Sequence, residues 1–200
     1  MRRGIHLSKR QFLKTALKAS LLTGMPFPLF KGRVLEKDLL APQKSAESTP
    51  FKALSLYNIH THEVLKNCEF WQNGQFCPDG LTAINQLCRD HRSNKVHPID
   101  PSTLLILHKI LQILETKKLV HIVSGYRCEE SNQLLRQQTQ GVARNSYHTK
   151  GQALDFYVPD LSLRSLHKAA LSLKAGGVGG YNHFIHIDTG PIRQWGHAPC

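Results

Sequence analysis

The stretch "NSYHTKGQALDFYV", residues 145–158, decides how this chain is read. It places His148 seven residues before Asp155, with Gly151 between them. Glycine disfavours a continuous helix, so His148 is expected on a loop. "QALDFYV" (152–158) has the alternation of a strand and carries Asp155. A second stretch, "HFIHIDTG" (183–190), supplies another imidazole, with "FIHID" (184–188) expected as the final strand. His186 and Asp188 are two residues apart and so share a strand face. His183 would point the other way, and reaches the same side only if the chain turns near Asn182.

Two imidazoles and one carboxylate make a donor set for catalytic zinc: three protein ligands and a fourth position for water. His148, Asp155 and His186 are therefore the candidate ligands, and Zn2+ the expected cofactor. Asp188 is a candidate either for orienting a ligand from behind or for handling protons itself. The competing reading, in a chain with twelve histidines, is that His148 and His186 are ordinary half-buried side chains.

The surrounding chain alternates strands and helices. "FKALSLYNI" and "HEVLKNCEFW" read as two strands in a hairpin around "HTH". His60 and His62 would then share a face at its solvated tip. "CPDGLTAINQLCRDHR" reads as a helix, and "HRSNKVHP" (91–98) as a solvated connection. The best-marked helix is "HPIDPSTLLILHKILQILETKK". Asp100 is its N-cap, Pro101 its first residue, and Leu104, Leu107, Leu111 and Leu114 form an apolar stripe. "LVHIVSGYR" (119–127) is a buried strand ending in a turn, and "EESNQLLRQQTQ" a helix. Ser162 caps a last helix with the stripe Leu163, Leu166, Ala170 and Leu173. "AGGVGGY" reads as a glycine-rich turn. No internal repeat is present. The expected class is α+β, a small, mainly antiparallel sheet with helices packed against it and the zinc site on the sheet.

Charge divides the chain. Of the net +12, residues 1–50 contribute +7, with ten Lys/Arg against three Asp/Glu. The mildly basic remainder argues against a nucleic-acid binder. A basic "SKRQFLK" (8–14) followed by the short apolar "ALKASLLTGMPFPLF" (16–30) describes an export signal. The motif resembles the twin-arginine signal, with Lys9 in place of the first arginine. The expected organisation is an export signal over 1–30, a linker over 31–50 and one folded domain over 51–200. The five cysteines include no C-x-x-C pair, which argues against a thiolate zinc site, and a disulfide from Cys68 to Cys77 or Cys88 is open.

"SYHTKGQALDF" fits an S-x-H-x-x-G-x-A-x-D signature through Ser146, His148, Gly151, Ala153 and Asp155. "SGYR" (124–127) precedes it and "GGVGGYNHFIHIDTGPIRQW" (176–195) follows. Together these resemble the murein endopeptidase K family, related to D-Ala-D-Ala carboxypeptidases, lysostaphin and the hedgehog signalling domain. The resemblance spans roughly residues 52–196. It implies a zinc peptidase acting on peptidoglycan cross-link peptides in the periplasm or cell envelope, of endopeptidase (DD or LD) or carboxypeptidase type. It implies metal ligation by His148, Asp155 and His186 and places Arg127 near the scissile carbonyl. Ser146 and Tyr147 would bind substrate or shape the loop. His183 falls by count where other branches place a base, in a connection shorter than relatives have, and Asp188 is the other contender. A monomer is expected, with peripheral membrane association if the leader is retained. The alternative is a non-catalytic peptidoglycan-binding module with a structural zinc.

Overall fold

The computed structural model describes residues 51–139, 141–196 and 198. The expected export signal, the linker and Cys200 lie outside the described residues. Eight strands form one sheet: β1 (Lys52–Asn58), β2 (Val64–Gln72), β3 (Gln75–Phe76), β4 (Val120–Ser124), β5 (Ala153–Tyr157), β6 (Gly177–Gly180), β7 (Ile185–Asp188) and β8 (Arg193–Gly196). Their order is β3-β2-β1-β4-β5-β7-β6-β8. Two pairings, β1 with β4 and β6 with β8, are parallel, and the others are antiparallel. The class is α+β, as the alternation of patterns implied.

Four helices join the strands: α1 (Pro78–Leu87), α2 (Pro101–Ile113), α3 (Glu129–Gln138) and α4 (Leu163–Ser172). Helix α2 starts where its punctuation says. The Asp100 carboxylate accepts from the Ser102 amide and Pro101 fills the first turn, where no amide hydrogen is needed. Its stripe residues Leu104, Leu107 and Leu111 are buried. In α4 the Ser162 hydroxyl accepts from the Ser165 amide, and Leu166, Ala169 and Ala170 are buried. These residues join Leu154, Phe156, Ile185 and Ile187 in the core. Along β5, Leu154 and Phe156 alternate with Asp155, so the strand's other row of side chains carries the polar site. None of the helices among the described residues is long and apolar enough to cross a membrane.

Three expectations from the sequence change. "AGGVGGY" is not a turn; its residues 177–180 form β6. "FIHID" is not the last strand, because β8 follows and pairs beside β6. His60 and His62 are not a strand pair. Both follow β1 in the connecting turn, where His60 stacks on His91 and His62 bonds the Tyr57 hydroxyl. The four described cysteines are free thiols, Cys88 and Cys128 buried among them, so neither disulfide is formed.

Candidate metal centre and its cleft

Strand register assembles the centre. Asp155 on β5 lies directly opposite His186 on β7. Ser124 pairs with Asp155 on one side, and Gly179 with His186 on the other. Gly179 in turn pairs with Trp195. One row across five strands therefore carries Ser124, Asp155, His186, Gly179 and Trp195. The next row carries Ala153, Asp188, Gly177 and Arg193.

His148 comes from outside the sheet, on a single 3-10 turn over Tyr147–Lys150. The Ser146 hydroxyl caps that turn by accepting from the His148 amide. Gly151 ends it at φ 66°, a left-handed conformation that favours glycine. A side chain at 151 would also collide with the Pro98 carbonyl. The glycine is thus needed both for the turn and for its seat against the segment leading into α2.

The three expected ligands converge. One ligand atom each from His148, Asp155 and His186 lies within 4.8 Å of the others. His148 Nε2 is 3.2 Å from Asp155 Oδ2 and 3.3 Å from His186 Nδ1, which is itself 2.8 Å from Asp155 Oδ1. The outer nitrogen of each imidazole is held by an acceptor. His148 Nδ1 donates to the Gly125 carbonyl at 2.7 Å, and His186 Nε2 donates to Asp188 Oδ2 at 2.9 Å. In the neutral tautomers that these bonds fix, both inner nitrogens carry lone pairs aimed at each other and at a carboxylate. Such a cluster is satisfied by a cation at its centre, and outer-nitrogen acceptors of this kind fix ligand orientation. The donor set fits a divalent metal.

The electrostatics tell the same story. Burial alone would lower His186, but its bonds to Asp155 and Asp188 outweigh that and push it up to about 9. Burial likewise opposes ionisation of Asp155, and the two imidazoles overcome it and hold the carboxyl well below its usual range. The pocket draws positive charge between these three groups.

Asp188 is wholly buried and fully used. Besides His186, it accepts from both terminal nitrogens of Arg193 and from the amides of Gly177 and Gly190. Arg127 is buried beside the trio, its Nη2 3.9 Å from Asp155 Oδ2. Asn132 and Ser124 accept from its terminal nitrogens at 3.3 Å, and its Nε has no partner among the described residues. The Cys128 thiol is buried and donates to the Ser93 and Ser131 hydroxyls, with no hydrogen bond to an imidazole among the described residues. Tyr147 lies against Gly190, with the Arg193 guanidinium 5.0 Å from its ring.

A cleft of about 820 Å³ opens over the trio. Ser146, Tyr147, His148, Asp155, Arg127 and His186 line it. His183 does not: it is exposed on the bend before β7, at the turn near Asn182. Sequence reasoning missed part of the lining. His60 and His91, distant in sequence, stack with ring centroids 3.8 Å apart and join Arg92 in one wall. Tyr181, Phe184 and Trp195 form another wall. All three fall within "GGVGGYNHFIHIDTGPIRQW" (176–195), but no local pattern marks them as a cleft wall.

A mixed sheet with a buried His/Asp/His trio at the floor of a cleft defines an α+β protein with a metal-compatible centre. The family model described as "Peptidoglycan L,D-endopeptidase MepK" matches residues 45–195. The Escherichia coli K12 protein named peptidoglycan L,D-endopeptidase MepK is 44% identical over 160 residues, covering 78% of this chain and 87% of that protein. The Haemophilus influenzae protein named probable peptidoglycan L,D-endopeptidase MepK is 40% identical over 152 residues, covering 74% and 81% respectively. No solved structure matches the chain significantly. The chain belongs to the MepK family of peptidases.

Proposed function

We propose that this protein is a zinc-dependent peptidoglycan endopeptidase of the cell envelope that hydrolyses L,D cross-links. The observation that carries the reading is the convergence of His148 Nε2, Asp155 and His186 Nδ1, with both outer imidazole nitrogens already bound to acceptors. The relatives' names support the peptidoglycan substrate and the L,D bond.

His148, Asp155 and His186 would hold the ion. When bound, zinc supplies Lewis acidity and lowers the pKa of water from about 16 toward 7. The residues of the chain do the rest. Arg127, braced by Asn132 and Ser124, donates to the scissile carbonyl oxygen as negative charge develops there. A donor fixed in place beforehand costs little reorganisation at the moment of reaction. Asp188 stays ionised and holds His186; five donors occupy its oxygens, which leaves it poorly suited to carrying a proton. We assign proton transfer to His183. It lies exposed on the bend before β7, outside the cleft lining, and a movement of that bend over bound substrate would let it take the proton of the attacking water and return it to the leaving amine nitrogen. Ser146 shapes the His148 turn, and Tyr147 contacts substrate at the cleft wall.

The test is metal analysis of the purified protein combined with mass mapping of products from cross-linked muropeptides. Expected are one zinc per chain, new amine ends, loss of hydrolysis with a chelator and recovery on adding zinc. His148→Ala and His186→Ala lose metal and activity together, whereas His183→Ala keeps the metal and loses about 100-fold or more in kcat. A folded, zinc-loaded protein that binds muropeptides and releases no amine would mark a binding module instead.

A further inference from the structure

The cleft's charges are unbalanced at one point. Its lining contains three arginines, Arg92, Arg127 and Arg193, and a single carboxylate, Asp155. Arg193 is paired with Asp188, and Arg127 stands beside Asp155. Arg92 has no carboxylate partner among the described residues, and it is exposed on the segment between α1 and α2.

Its backbone, however, is fixed. The buried Asp90 carboxylate accepts from the Arg92 amide with one oxygen and from the Cys128 amide with the other, each at 2.9 Å. One side chain therefore sets the positions of Arg92 and of the residue next to Arg127. Asp90 also accepts from the Asn94 amide through its carbonyl at 2.7 Å, closing the loop around Arg92. The wall beside Arg92 is the His60–His91 stack, rings 17° from parallel, with His60 Nε2 donating to the Val123 carbonyl. The wall thus runs from the trio through Arg127 to His91 and Arg92.

We propose that Arg92 is a specificity residue, binding a free carboxylate of the peptide substrate that flanks the scissile amide, with the stacked His60–His91 pair as the wall of that subsite. The proposal rests on the peptidase reading above and adds the substrate class: a peptide carrying a carboxylate beside the bond, rather than its carboxamide. A guanidinium is suited to this task because its planar donors match the two carboxylate oxygens. A cleft with surplus positive charge also concentrates anionic substrate.

The experiment uses the zinc-loaded protein and a pair of uncleavable single-stem peptides, identical except that the carboxylate is free in one and amidated in the other. Binding is measured by calorimetry for the native protein, Arg92→Ala and Arg92→Lys. The native protein is expected to favour the carboxylate form by about tenfold. Arg92→Ala loses that preference and keeps its affinity for the amide form; Arg92→Lys retains part of it. Equal binding of the two peptides by the native protein overturns the proposal, as does an Arg92→Ala protein that keeps the native preference. Unaltered zinc content shows that the variants are folded at the site. Cross-link hydrolysis by the native protein is measured alongside. Its absence, with the tenfold preference intact, sinks the peptidase reading and leaves the carboxylate subsite standing.

Discussion

At the scale of single residues, Asp188 shows how far a candidate ligand depends on what stands behind it. Its carboxyl is held well below the usual range, because His186, Arg193 and the Gly190 amide outweigh the cost of burial. The permanent charge fixes His186 with Nδ1 toward Asp155 and His148. Asp188→Asn should therefore weaken zinc by about 10- to 100-fold while leaving the three ligands in place. Competition with a chromophoric chelator measures this, and an unchanged affinity would show that His186 needs no brace. Sequence spacing placed Asp188 on the face of His186, but two roles were open. The five donors around its oxygens favour the bracing role.

At the scale of elements, β6 is the instructive strand. Four residues that include three glycines, "GVGG", have poor strand propensity. They form a strand because ladders to β7 and β8 pair both of its edges, and those neighbours leave no room for side chains at 177 and 179. A Cβ on Gly179 would lie 2.6 Å from the Trp195 indole, and one on Gly177 would press on Asp188 and the Arg193 guanidinium. The missing side chains let Arg193 reach across to Asp188 and let Trp195 lie 5.2 Å from His186, ring to ring. Gly177→Ala is expected to disturb the Arg193–Asp188 pair and lower zinc affinity at least severalfold without unfolding the sheet. A chelator titration beside a circular dichroism spectrum separates the two effects. Native affinity in a folded Gly177→Ala protein would show that the close approach is not needed.

For the molecule as a whole, the cleft wall also makes stability depend on pH. Burial, with repulsion from His60 and Arg92, pushes His91 down to about 4 from 6.5. The folded state then binds fewer protons than the unfolded chain between those values. The contribution of His91 is present above pH 6.5 and is lost as pH falls through about 4. Urea midpoints should drop across this window in the native protein, and the drop should be smaller in His91→Phe. Equal slopes in the two proteins would rule His91 out as the cause. Much of this architecture was legible beforehand. The Asp100–Pro101 start of α2, the Ser162 cap, the hairpin of β1 and β2 and the two site strands all follow from local rules of capping and periodicity. The spacing of His148, Asp155 and His186 also named the ligand candidates, because their chemistry is local to each side chain. Only tertiary structure could decide that β6 is a strand, that His60 meets His91, and that Asp188 is saturated while His183 stays outside the cleft lining. Those outcomes depend on which residues from distant segments fill the same space, and no local propensity encodes that.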